Sequence, residues 1–104
     1  MLTAAEVVAA RDRIGSHVVT TGCPESFALR GATGCPTYLK AELRQQTGSF
    51  KDRGSLNKLM QLGDAERGAG VVAASAGNHA QGVALAAANL GIPCTIVMLS
   101  LIHI

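Results

Sequence analysis

Apolar residues recur at helical spacing from the start of the chain. Ala4, Val7, Val8 and Ile14 fall on one face together with Arg11, which predicts a helix. Thr3 and Glu6 stand three apart just ahead of that run, the capping-box spacing, and Gly15 marks the stop. From His17 to Pro36 the pattern fades under Gly22, Pro24, Gly31, Gly34 and Pro36. A short helix over 26–30 and a short strand over 37–41 are expected there, the latter from Thr37 and Tyr38. The second half is more regular. Ser49 to Leu62 reads as a helix with Leu56, Leu59 and Met60 on one face and Gly63 after it. Val71 to Ala74 is an apolar run suited to a strand buried on both faces. Asn78 to Leu90 carries Ala80, Val83, Ala84, Ala87 and Ala88 at i, i+3, i+4, i+7 and i+8, a strong helix closed by Gly91. Ile92 to Leu99 predicts another buried strand. Helix and strand alternating in this way predict an α/β unit with a parallel sheet.

The rhythm then stops. Leu99 to Ile104 contains no turn, cap or next helix, and two or three parallel strands do not cover their own second face. The chain is therefore expected to be the front part of something longer. Composition sharpens the picture only in part. Of the 48% hydrophobic residues, seventeen are Ala and three are aromatic, and 12 Gly accompany them. Such small side chains suit close helix–sheet crossings and argue against an aromatic sandwich or a coiled coil.

Charge excludes more than it suggests. A net charge of +2 with no basic run and no interleaved aromatics lacks the footprint of a nucleic-acid binder. Cys23, Cys35 and Cys94 are odd in number, 12 and 59 positions apart, so neither a metal site nor a disulfide framework is expected. Reduced thiols and a cytoplasmic setting follow. Acidic and basic residues at 6 and 11–13 interrupt any leader-like stretch, and no apolar run is long enough to span a membrane.

Two loops lead into helix starts, where α/β folds build their sites. The first runs from Thr47 to Gly54. Ser49 and Asp52 are spaced as a cap pair, whereas Lys51 and Arg53 place two cations where the helix dipole disfavours them. A lysine so placed is disposed to act as a neutral amine nucleophile, although a solvated surface lysine is the commoner case. The second loop runs from Ser75 to Gly82 and opens the Ala-rich helix. Its N–H groups, Gly77 and its Ser and Asn side chains suit either an anion site or a simple cap by Asn78 and Gln81. Gly68-Ala69-Gly70 imitates a dinucleotide fingerprint but precedes a strand instead of following one.

Together the segments Ser49-Phe50-Lys51-Asp52-Arg53-Gly54 and Ser75-Ala76-Gly77-Asn78-His79-Ala80-Gln81-Gly82 resemble the signature pair of fold-type II pyridoxal-phosphate enzymes, most closely the threonine/serine dehydratase (threonine ammonia-lyase) family. Leu39-Lys40-Ala41-Glu42 and Gln46-Thr47-Gly48 match the same pattern, and the likeness runs from about Arg13 to Met98. The resemblance implies an incomplete three-layer parallel-sheet fold of the tryptophan synthase beta type. It makes residues 1–104 the truncated N-terminal part of a lyase catalytic domain, with 99–104 foreign to the family pattern, through truncation or as a non-native tail.

It also implies that Lys51 is the catalytic Schiff-base lysine, with Phe50 beside the pyridoxal 5'-phosphate ring and Asn78 on its 3'-oxygen. Ser75, Gly77, Asn78 and His79 would take the substrate carboxylate. The implied reaction is dehydration and deamination of L-threonine or L-serine, an amino-acid substrate, to a 2-oxo acid and ammonia, as in isoleucine biosynthesis. The implied full-length enzyme is a cytoplasmic homo-oligomer with no metal, nucleic-acid or membrane partner, and this chain alone is expected to be inactive. Ala76 stands where serine racemases of this kind carry a Ser, which favours a dehydratase. Serine racemase, threonine synthase and cysteine synthase remain the enzymatic alternatives, and a non-catalytic α/β fragment the other.

Overall fold

The computed structural model describes residues 1–99; the expectation for the tail falls almost wholly outside them. Six helices and strands of the expected α/β order are present: α1 (Ala4–Ile14), α2 (Phe27–Thr33), α3 (Lys51–Met60), β1 (Val71–Ala74), α5 (Asn78–Leu90) and β2 (Cys94–Val97). A further helix, α4 (Asp64–Ala69), separates α3 from β1, and a single 3-10 turn spans Glu42–Arg44. β1 and β2 pair in parallel with Val71 opposite Cys94 and Ala74 opposite Val97. The helix α5 forms the crossover between them and packs on both strands; α3 packs on α5, and α1 on α3.

Local chemistry accounts for most boundaries. The Thr3 hydroxyl accepts from Glu6 N–H while the Glu6 carboxylate accepts from Thr3 N–H, the reciprocal cap expected for α1. Ser26 caps α2 through Leu29 N–H. Helix α4 was not legible in the apolar pattern. It is held by the Glu66 carboxylate accepting from Gly63 N–H and by acids in its first turn. From its last turn Arg67 donates to the carbonyls of Leu62 and Met60, satisfying the end of α3.

The expected strand over 37–41 does not form. Residues 22–26 and 37–41 run antiparallel, with Ser26 N–H to Thr37 O, Leu39 N–H to Pro24 O and Ala41 N–H to Gly22 O, but only Glu25 and Tyr38 make a bridge. Pro24 has no N–H to return the bond it accepts from Leu39, so the ladder cannot close. The strand β1 also departs from expectation. Val71 and Ala73 are half-buried on the helix side, whereas Val72 is 74% exposed on the other. The core is small and lies between helices: Ile14, Leu56, Leu59, Ala86, Ala87 and Ile92, flanked by Val18, Met60, Leu62, Val71 and Leu90. Val7 and Val8 of the predicted α1 face remain outside it.

Gly70, part of the fingerprint-like run, joins α4 to β1 with φ +83°, and a Cβ there would lie 2.7 Å from Pro93 O. The role of that glycine is to let the two strands begin in contact. No helix among the described residues is long and apolar enough to cross a membrane.

Candidate functional site

Lys51 is the first residue of α3, and its environment differs from that of Arg53 two positions on. Arg53 donates Nε to Glu42 Oε2 and Nη2 to Glu42 Oε1, both at 2.8 Å. Glu42 also accepts from Thr21 Oγ1 at 2.6 Å and from Gln45 Nε2. The Arg53 hydrogen bonds, with those from Thr21 and Gln45, hold the Glu42 carboxyl down to about 2 against the opposing effect of burial. Arg53 is raised correspondingly by the same partner. One of the two cations that oppose the helix dipole is thus compensated by a paired, partly buried carboxylate.

Lys51 is not compensated. Its ammonium lies 5.4 Å from the Phe50 ring centroid and has no ion-pair or hydrogen-bond partner among the described residues. The loop before it is braced from below. The buried Asp52 carboxylate accepts from Thr47 N–H at 3.0 Å and from the Thr47 hydroxyl, so it serves Thr47 and not Ser49 as the cap spacing suggested. Thr47 lies closer because Phe50 already has helical φ and ψ, which turns Ser49 out of the cap position. The Ser49 hydroxyl instead accepts from Lys51 N–H at 3.3 Å.

The second loop leaves β1 at Ser75, whose N–H extends the sheet to Val97 O, and turns at Gly77 into α5. The Ser75 hydroxyl accepts from Gly77 N–H. No side chain caps α5, so the capping role weighed for Asn78 and Gln81 is not taken up, and both residues are exposed. An uncapped 13-residue helix presents N–H groups and the positive end of its dipole to an anion.

Lys51 and His79 line one open cavity of about 350 Å³, with Ser55, Lys58, Leu59, Val71, Ala73 and Val83 among its walls. Ser75 and Ala76 line a neighbouring one of about 400 Å³ with Ala74, Val97, Met98 and Leu99. Gly77 and Asn78 stand at the exposed helix end, and Phe50 lies outside both cavities. The two loops therefore share a side of the molecule, with Lys51 joined to the second through His79. Sequence reasoning missed Glu42 and Asp52 as supports of this arrangement. No group of three or more His, Cys, Asp or Glu residues gathers among the described residues, and Cys23, Cys35 and Cys94 are free.

Residues 14–100 match the family described as pyridoxal-phosphate dependent enzyme. The L-threonine ammonia-lyase of Thermotoga maritima is 52% identical over 98 residues, 94% of this chain and 24% of that protein. A T.th. threonine deaminase of solved structure superposes with a TM-score of 0.81 at 43% identity, over 93% of this chain and 30% of that one. Maize serine racemase superposes with 0.85 at 38% identity, over 91% and 30%. The chain thus spans 24–30% of the lengths of these proteins.

Proposed function

The chain belongs to the pyridoxal-phosphate dependent enzyme family, and on that premise we propose that it forms the lysine-bearing part of an ammonia-lyase acting on L-threonine or L-serine. The observation that carries the reading is the contrast at the start of α3: Arg53 is paired with Glu42, while Lys51 has no acid beside it among the described residues and lines a cavity shared with the second loop. An amine with no carboxylate against it is free to turn toward a ligand in that cavity.

The residues present fit pyridoxal 5'-phosphate. Lys51 would supply the amine that holds its aldehyde carbon, the exposed Phe50 ring would be an apolar neighbour, and Asn78 would offer a donor for the ring oxygen. When bound, the cofactor supplies the electron sink for a carbanion at Cα. The chain supplies position and proton transfer. Ser75, Gly77, Asn78 and His79 would take the amino-acid carboxylate on the uncapped end of α5. Lys51 Nζ would accept the Cα proton from one face. Ala76 offers no group to return a proton from the other, which favours loss of the β-hydroxyl over racemisation. The products are a 2-oxo acid and ammonia. The same reading makes residues 1–104 part of a longer homo-oligomeric enzyme of the cytoplasm, and the free, exposed cysteines support a reducing compartment.

The test is a visible absorbance spectrum of the purified chain with pyridoxal phosphate, followed by borohydride reduction and peptide mass analysis. A pyridoxyl group fixed on Lys51, absent in Lys51→Ala and diminished by prior L-threonine, is expected. A folded chain modified equally at Lys58 and Lys51 would remove the basis of the reading.

A further inference from the structure

Lys51 and Asn78 each open a helix, and those helices meet one turn further in. Ser55 follows Lys51 by four residues on α3, and Gly82 follows Asn78 by four on α5, so each lies beneath its functional residue on the same helical face. Both are buried. A Cβ built on Gly82 would lie 2.9 Å from Ser55 Oγ and 3.1 Å from both the carbonyl carbon and the carbonyl oxygen of Lys51. The hydroxyl can rotate away. The Lys51 peptide cannot, because it belongs to the first turn of α3. Helix α5 therefore rests on the backbone of the very residue whose amine the site uses, and the gap between the two loops is as narrow as a missing side chain permits. Ser55 Oγ is buried at this crossing with no hydrogen-bond partner among the described residues, which is itself unfavourable.

We propose that Gly82 is a positioning residue for Lys51: its lack of a side chain sets the separation between the Lys51 loop and the loop that opens α5. The inference rests on the reading of Lys51 as the residue that holds the cofactor. A methyl group at Gly82 pushes the α3 and α5 N-termini apart, so Lys51 Nζ and the Asn78–His79 end no longer converge on one bound molecule. Placement errors well below the size of an atom are enough to slow bond formation.

The experiment follows the rate at which borohydride-stable pyridoxyl accumulates on Lys51 at saturating pyridoxal phosphate, with circular dichroism on the same samples. Gly82→Ala is expected to slow it about tenfold while the chain remains folded. Ala86→Gly, which weakens the same helix pair away from Lys51, is expected to lower the melting temperature without changing the rate. The double variant Ser55→Ala/Gly82→Ala removes the hydroxyl contact and keeps the Lys51 one. It should regain melting temperature and stay slow, and it decides the matter if Gly82→Ala alone does not fold. A folded Gly82→Ala chain, or the double variant, reacting at the wild-type rate overturns the inference and leaves the role of Lys51 standing. A folded wild-type chain with no adduct on Lys51 overturns both.

Discussion

Glu42 carries more of the local order than its exposed neighbours suggest. It joins Arg53, Thr21 and Gln45, while Gln45 also holds both the N–H and the carbonyl of Val19. Because its carboxyl is depressed from 4.5 to about 2 in the folded chain, its stabilisation is complete above 4.5 and is lost as pH falls toward 2. Glu42→Gln is expected to cost about 1–3 kcal/mol at neutral pH, the scale of a hydrogen bond to a charged group. Melting temperatures recorded across pH 2–5 should converge for the two proteins at the acid end. A constant offset would place the stabilisation elsewhere. Lys51 stands out in the sequence as a candidate because a cation at a helix start breaks an electrostatic rule visible in one dimension. Its contrast with Arg53 does not, since Glu42 lies eleven residues away across a loop that no periodicity describes. The Ser49–Asp52 pairing failed for a related reason: a spacing rule names acceptors, but only geometry shows that Thr47 is nearer.

At the scale of elements, α5 was the most legible piece, since alanines at one helical face, an N-terminal Gly and a C-terminal Gly all agree. The helix α4 was missed because six residues with a glycine inside present no apolar stripe. The strand over 37–41 was overpredicted because β-propensity says nothing about a proline on the partner segment. The stability of the α3–α5 pair rests on few large side chains. Leu59→Ala is expected to cost about 2–5 kcal/mol by chemical denaturation, whereas Leu43→Ala, at a site 76% exposed, should fall within about 0.5 kcal/mol. Similar losses at the two sites would contradict the placement of the core. Gly70→Ala meets both an unfavourable φ and the Pro93 carbonyl, so it should destabilise the chain by more than the roughly 1 kcal/mol typical of a substitution.

The whole molecule is spread out, with principal extents of 51 × 43 × 26 Å. A compact chain of this length has a radius of gyration of about 13 Å, and this one has 16.8 Å. The sheet is covered by α5 on one side, and Val72, Val97, Met98 and Leu99 are exposed. Contiguous apolar surface of this kind promotes association. Sedimentation at rising concentration should show self-association that Val72→Lys/Val97→Lys reduces, with little change in the melting temperature. Unchanged association in that variant would move the sticky surface elsewhere.

The antiparallel segments 22–26 and 37–41, with α2 between them, project from a base tied by Thr21, Lys40, Glu42 and Gln45, and α2 buries none of its residues. The ties close the base without help from what it carries. This lobe is consequently the part of the chain freest to drift: insertions, deletions and exchanges at its tip leave the register of the base untouched. Related chains can differ there in length and wording while the helix that begins at Lys51 starts from the same place.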